Sequence, residues 1–273
     1  DVQLGTNGDL LLNAVSMNGT VHVSGWYCNL GFAGSQSWDS GTIRFDGTSG
    51  GYQYLAMQQA GTLTIGPGGA IEFASGSGYL GSGNTWSAAM TLVNNGTITA
   101  TGGSNTIIPA NSITNNGSIQ ASGGSLSVSP TGIATNNNLI AATNGSSLTA
   151  TRLDNQANVS ASSGATVTLN GNWANGGSIG VTDSSLNLGG AFTTAGIGSV
   201  SISNGTVTIT GAMNNAGSTF TMDGGLGSWR MNGGSITGGT LDLPGGAILT
   251  ALDRPANRLD SLQVNGDVQL GTN

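Results

Sequence analysis

The sequence predicts an all-β fold, a right-handed parallel β-helix (β-solenoid) with three short strands per turn of about 20 residues. Three observations predict it. First, an apolar pair recurs at nearly equal steps as Ile98/Ala100, Ile119/Ala121, Ile140/Ala142, Val159/Ala161, Ile179/Val181, Val200/Ile202 and Phe220/Met222. Alternation with period two makes each pair the inner side of a strand. Second, another pair follows in nearly every copy (Leu126/Val128, Leu148/Ala150, Val167/Leu169, Leu186/Leu188, Val207/Ile209, Trp229/Met231), and a third slot holds one apolar residue: Ile113, Ile133, Leu153, Trp173, Phe192, Met213. Third, Asn94, Asn115, Asn136, Asn155 and Asn175 each stand four residues before the first pair. Asn tolerates the left-handed backbone of a sharp corner, and stacked amides can hydrogen-bond along the axis, so these five are read as a structural ladder.

Strands this short cannot bury a face alone. Stacked on copies of themselves, about 4.8 Å apart, they can. The right-handed sense follows from the general preference of parallel crossovers.

Residues 1–23 are read as coil, with strands at Leu10–Leu12 and Val21–Val23. Across 24–90 the regularity breaks. The stretches 24–41, 50–60 and 76–90 are Gly-rich and aromatic and are read as loops thrown out from the coil, which is where solenoids place insertions. Ile43/Phe45, Leu63/Ile65 and Ile71/Phe73 are coil strands between them, and Tyr54–Gln59 is read as a single helical turn. Residues 91–245 are the regular coil, and 246–273 are coil that joins a next unit. Residues 1–7 and 267–273 both read DVQLGTN. That identity predicts that 1–273 is one unit of a larger tandem array, with residue 267 in the place residue 1 takes in the next unit; a permuted or engineered chain is the alternative. A start at Asp1 without Met fits an internal or mature piece. No terminal helix, Pro or charge cluster caps either end, so copies of the chain are expected to stack head to tail.

Composition narrows function. The chain has 49 Gly, five Arg, no Lys and 6% charged residues, against about 25% in ordinary soluble domains. A net charge of −7 without any basic run disfavours nucleic acid and anionic membranes. No apolar run approaches the length of a membrane-spanning helix. Cys28 stands alone, which excludes an intrachain disulfide and favours a buried thiol. With one His and no Cys pair, no metal site and no cofactor are expected.

An enzyme acting on polysaccharide needs carboxylates or basic groups converging on one face. Asp242, Asp253, Arg254, Arg258 and Asp260 are the only candidates, and a salt-bridged surface loop is the favoured explanation of them. Glu72 and His22 alternate with core residues and face outward. Asp183 and Asp223 do not recur on the period, against a calcium-binding repeat. The pairs Thr62/Thr64, Thr97/Thr99, Thr166/Thr168 and Thr206/Thr208 fall in different slots and are read as forming no single ladder. The sequons at Asn95, Asn116, Asn144 and Asn204 need no role beyond a structural one.

Ten of 14 aromatic residues lie between 26 and 86. Trp26, Tyr27, Trp38, Tyr52, Tyr54, Tyr79 and Trp86 are the candidate binding residues, because exposed rings serve glycan and protein contacts; the competing reading is rings that pack loops onto the coil.

The runs NNGTITATGG (94–103), NNGSIQASGGSLSVSPTG (115–132) and NNNLIAATNGSSLTA (136–150) resemble bacterial exported β-helical adhesins of the filamentous haemagglutinin and autotransporter passenger type. The resemblance covers 94–243. It implies a secreted or surface-anchored fibrous protein, extracellular, without a catalytic motif. The expected role is a structural repeat of a fibre or adhesin stalk; the alternatives are a module binding glycans or cell-surface proteins and, last, a polysaccharide-degrading enzyme.

Overall fold

The structure, a computed structural model, describes residues 1–47, 51–222 and 227–271. The chain winds into a β-solenoid whose ladders run parallel along one axis. One face, here the second face, is an unbroken 13-stranded sheet from Asp9–Leu12 to Asp267–Leu270. The first face begins with Val2–Leu4 and Thr20–Val23. It stays in register through Val21, Ile43, Ile71, Ile98 and Ile119 as far as Ser199–Ser203. It then resumes as a separate three-stranded sheet, Thr219–Thr221, Thr240–Asp242 and Gln263–Asn265. The third face runs from Met90–Asn94 to Ala174–Asn175 and continues from Ala191–Thr193 to Arg258–Asp260. Inward residues of all three faces form one continuous apolar core.

The regular pairs behave as the spacing predicts: Ile140, Val167 and Trp173 are all buried. Ile133 does not occupy its expected slot. It is 57% exposed, and Ala134 pairs in register with Ile113 and Leu153. The inward position lies two residues before the ladder Asn; Ile133 lies three before Asn136, so its side chain has the opposite parity.

The irregular stretch is coil, not loop, over most of its length. Cys28–Phe32, Gln36–Asp46, Tyr52–Met57, Gly61–Ser75 and Ser77–Leu80 are all strands of the solenoid. The residues 54–57, read as helical, are therefore extended. What changes here is the size of the turn. The first-face position steps from Ile43 to Ile71 to Ile98, a longer stride than the later steps from Ile98 to Ile119 and from Ile119 to Ile140. The long strands Gln36–Asp46 and Gly61–Ser75 stay hydrogen-bonded around a corner, which fuses the third face to the first. The Ile71–Ile98 stride includes a segment outside the coil, but the corners from Trp38 to Ile43 and from Ile65 to Ile71 are themselves longer than that from Asn94 to Ile98, and the interior there is filled by Phe32, Trp38, Phe45, Phe73 and Met57. Among the described residues of this stretch, 81–89 leaves the coil as a strap across the second face. It is tied there by Asn84 N and Thr85 N, which donate to Asn29 Oδ1 at 3.1 and 3.4 Å, and by a bridge between Met57 and Ala88.

The two DVQL segments occupy different faces. Val2–Leu4 pairs with Thr20–Val23 on the first face, whereas Asp267–Leu270 pairs with Ile248–Ala251 on the second. Residue 267 thus does not hold the place of residue 1 one unit on. A strand takes its face from the strand it stacks against, and Gly266, at φ +131°, turns the chain into the second face directly after Gln263–Asn265. Residues 272–273 lie outside the described residues.

Candidate functional site

Two constructions on this coil bear on function: an amide ladder inside one corner and an aromatic platform on the second face.

The ladder is built at the ends of third-face strands. Asn94, Asn115, Asn136, Asn155 and Asn175 are buried at the corner leading to the first face. Each Nδ2 donates to the next Oδ1: Asn94 to Asn115 at 2.7 Å, Asn115 to Asn136 at 2.8 Å, Asn136 to Asn155 at 2.6 Å, Asn155 to Asn175 at 2.6 Å. The remaining amide hydrogens reach backbone carbonyls, as from Asn115 to Leu139 O at 2.9 Å. The expectation of left-handed corners at these positions does not hold: none of the five has positive φ. The left-handed residues sit at another corner, where Asn144, Ser163, Asp183 and Asn204 have φ between 49° and 56°. Burial of an amide with its groups paired is what the ladder positions need, and Asn is the shortest side chain that provides it.

The ladder has a defined start and an interruption. In the preceding turn Ile65 takes the position paired with Asn94, so the Asn94 Oδ1 is buried without a partner. At the other end Asn175 Nδ2 donates to Ile197 O at 2.9 Å, where the short helix Thr194–Ile197 replaces the corner. Asn215 then resumes the pattern, fully buried and donating to Gly238 O and Thr240 O at 3.0 Å. The sequence reading missed it because Asn215 stands five residues before Phe220 rather than four.

The platform is built on outward positions of the widened turns. Tyr54 and Tyr79 are register partners on adjacent strands, and their rings stack at 5.5 Å. Tyr52 lies 5.8 Å from Tyr79 and 5.8 Å from Tyr27, and Trp26 lies 6.4 Å from Tyr27. Trp26, Tyr27 and Tyr52 are exposed. Tyr27 has φ +52°, an uncommon conformation for a bulky residue, and holds its ring in this group. Five of the seven candidate rings therefore meet. Trp38 does not join them: it is buried in the core against Phe32, at 6.4 Å. Trp86 lies on the strap with its ring against Gly31, where a Cβ would come within 2.4 Å of it. Asn84 of the same strap hydrogen-bonds the Tyr54 phenol; burial nonetheless pushes that phenol up, so it stays protonated.

A row of hydroxyls continues the platform. The outward column passes in register from Tyr79 to Thr106, Ser127, Thr149, Thr168, Asn187 and Thr208. A second column beside it runs from Ser104 through Ser147 and Ser185 to Thr206. The expectation that the Thr pairs form no ladder thus fails for this face: Thr166/Thr168 and Thr206/Thr208 share it, with Ser185 and Asn187 in the turn between. Counting Thr alone hid the row. No charged residue stands in either column until Arg230.

The charged groups gather elsewhere. His22, Arg44 and Glu72 are neighbours in register on the first face. His22 Nδ1 lies 2.7 Å from Asp46, and Arg44 pairs with both Asp46 and Glu72. Glu72 and His22 face outward as expected, Glu72 paired with Arg44 and His22 hydrogen-bonded to Asp46. Of the charged residues near the far end, Asp253, Arg254 and Arg258 line one cavity, Arg258 pairs with Asp260 at 2.6 Å on the third face, Arg254 binds Asn232, and Asp242 stands apart on the first face. Asp223 lies outside the described residues. Cys28 is buried, and its thiol donates to Gly25 O at 3.0 Å. Among the described residues no three His, Cys, Asp or Glu side chains converge, and no helix is long and apolar enough to cross a membrane.

The fold and its surfaces define a β-solenoid. No family model, curated protein or solved structure matches the chain.

Proposed function

We propose that this chain is a rod segment of an extracellular fibre or adhesin stalk. The observation that carries the reading is the second face: one parallel sheet of 13 strands that runs the whole described length without a break. Each strand's backbone groups bond up and down the axis, so a pull along the rod loads many hydrogen bonds at once. The buried amide ladder adds side-chain bonds in the same direction.

Segments of this kind join end to end. Val2–Leu4 and Asp9–Leu12 offer outer strand edges at one end, and Gln263–Asn265 and Asp267–Leu270 at the other. First face meets first face and second meets second if Val2–Leu4 of one copy stacks on Gln263–Asn265 of another. Leu270, 87% exposed, then covers Leu12. Such a contact is heterologous and extends into a filament. The test is electron microscopy and sedimentation over a range of concentrations. Rods that lengthen with concentration are expected; compact monomers at every concentration overturn the end-to-end contact.

A further inference from the structure

We propose that the second face binds an extended, neutral polysaccharide, with the tyrosine platform as its anchor and the hydroxyl columns as its track. This goes beyond the rod reading and does not depend on end-to-end stacking, since the site lies on the side of the coil.

Three observations carry it. The first is exposure. Soluble proteins bury most of their large aromatic area, yet here Trp26, Tyr27 and Tyr52 stand in water beside Tyr54 and Tyr79. With Tyr52 and Tyr54 on one strand, Tyr79 on the next about 4.8 Å away, and Trp26 and Tyr27 in the turn beside them, the rings offer flat apolar faces with phenol oxygens at the rim. A pyranose ring has the complementary form, with C–H groups on its faces and hydroxyls around its edge.

The second is continuity. From Tyr79 the outward column passes into Thr106, Ser127, Thr149 and Thr168 and then the Asn187 amide, and it ends at Thr208, which is buried. Hydroxyls both donate and accept, so they match sugar hydroxyls in either sense. A linear polymer lying along the axis meets rings first and hydroxyls after.

The third is charge. The track between Tyr79 and Thr208 holds no charged side chain, and the Asp9 carboxylate beside the platform is held by Asn29 at 2.8 Å and Thr85 at 2.9 Å. A polyanion finds no cation there, and a polycation finds only the Asp9 carboxylate, which Asn29 and Thr85 already hydrogen-bond. Neutral β-linked polymers, whose sugars present flat C–H faces, fit best. The strap carrying Trp86 walls the platform on the Gly31 side and leaves the track open.

The experiment is affinity electrophoresis of the full chain through gels containing hydroxyethyl cellulose, dextran, alginate or chitosan. Retardation by hydroxyethyl cellulose, insensitive to salt, is expected. Tyr79→Ala and Tyr52→Ala each weaken it about three- to tenfold without changing the circular dichroism spectrum. Thr149→Arg weakens it by less, because it crowds one point of the track. Tyr52 is exposed, so its variant keeps the test valid if Tyr79→Ala misfolds. Folded protein that passes all neutral gels unretarded overturns the proposal. So does retardation by alginate or chitosan alone, or retardation unchanged in both tyrosine variants. Slowed ice growth that is lost in Thr149→Arg assigns the hydroxyl track to ice and overturns it equally.

Discussion

Asn136→Ala is the sharpest test of the amide ladder. The side chain accepts from Asn115 at 2.8 Å and donates to Asn155 at 2.6 Å and to Asn158 O at 3.0 Å. Alanine removes both amide–amide bonds, at about 1 kcal/mol each, and leaves the buried Asn155 carbonyl oxygen without its donor, at about 1–3 kcal/mol, for a total of about 3–5 kcal/mol. The control is Asn116→Ala. Asn116 belongs to a parallel ladder, with Asn95 at 2.9 Å and Asn137 at 2.8 Å, but those bonds are exposed to water. Water replaces them, so the control loses less than about 1 kcal/mol. A solenoid need not melt in one step, so the loss is best read locally, as faster amide exchange in the strands between 113 and 161. Global melting by urea supplies the second measure. If the two alanine variants lose equal stability, the buried ladder carries no special energy and the reasoning fails.

Ile140→Asp places a charge among fully apolar neighbours; several kcal/mol of lost stability and early melting of the adjacent turns are expected in calorimetry. Burial raises the Cys28 thiol above its ordinary 9.0, so the thiol stays neutral when folded. A raised folded pKa on a group that ionises to an anion costs stability only in alkali: the folded state is unaffected below pH 9.0 and loses stability as pH climbs past 9.0, a drop that Cys28→Ala should lack in alkaline denaturation. In the proposed end-to-end contact Asp267 of one copy would lie beside Asp9 of the next, so Asp267→Asn should lengthen any filaments seen by sedimentation. Phe73→Ala should cost about 3–5 kcal/mol. It should also loosen the Tyr54–Tyr79 stack, seen as changed tyrosine ring shifts in NMR, because the Phe73 ring lies directly against Gly78.

The regular half of the fold was legible because its turns are nearly equal in length. Where Ile119, Ile140 and Val159 recur on a near-fixed step, period and parity together assign strand, face and core. The reading weakened where the step grew, between Ile43 and Ile71, since a search at the shorter period finds gaps there and reads them as loops. Trp38 was misplaced for the same reason. Once its strand belongs to the coil, parity turns it inward. The platform was legible only as a concentration of aromatic residues. That Tyr54 and Tyr79 meet, while Trp38 does not, depends on register between strands separated by a whole turn, which no local pattern encodes. Asn215 escaped because one extra residue in its corner shifted it off the fixed offset.

The widened turns tie the core to the surface. A longer perimeter leaves a larger interior, and small aliphatic pairs such as Ile98/Ala100 cannot fill it at native density. Phe45 and Phe73, stacked at 4.8 Å, replace them, with Trp38 against Phe32 on the other side. Large rings inside push the backbone outward, and close approach then demands glycine: Gly78 lies where a Cβ would come within 2.4 Å of Phe73. The neighbours of that glycine carry the opposite parity, so Tyr79 points to solvent, beside Tyr54 of the preceding turn. Aromatic residues inside and outside these turns therefore have different causes. The inner ones answer a packing need set by perimeter. The outer ones answer no packing need of the coil, since Thr106, Ser127 and Thr149 take the same column in later turns and the sheet continues unchanged. An aromatic group that the later turns do without, with Trp26, Tyr27 and Tyr52 exposed beside the half-buried Tyr54–Tyr79 stack, is the place to look for a ligand.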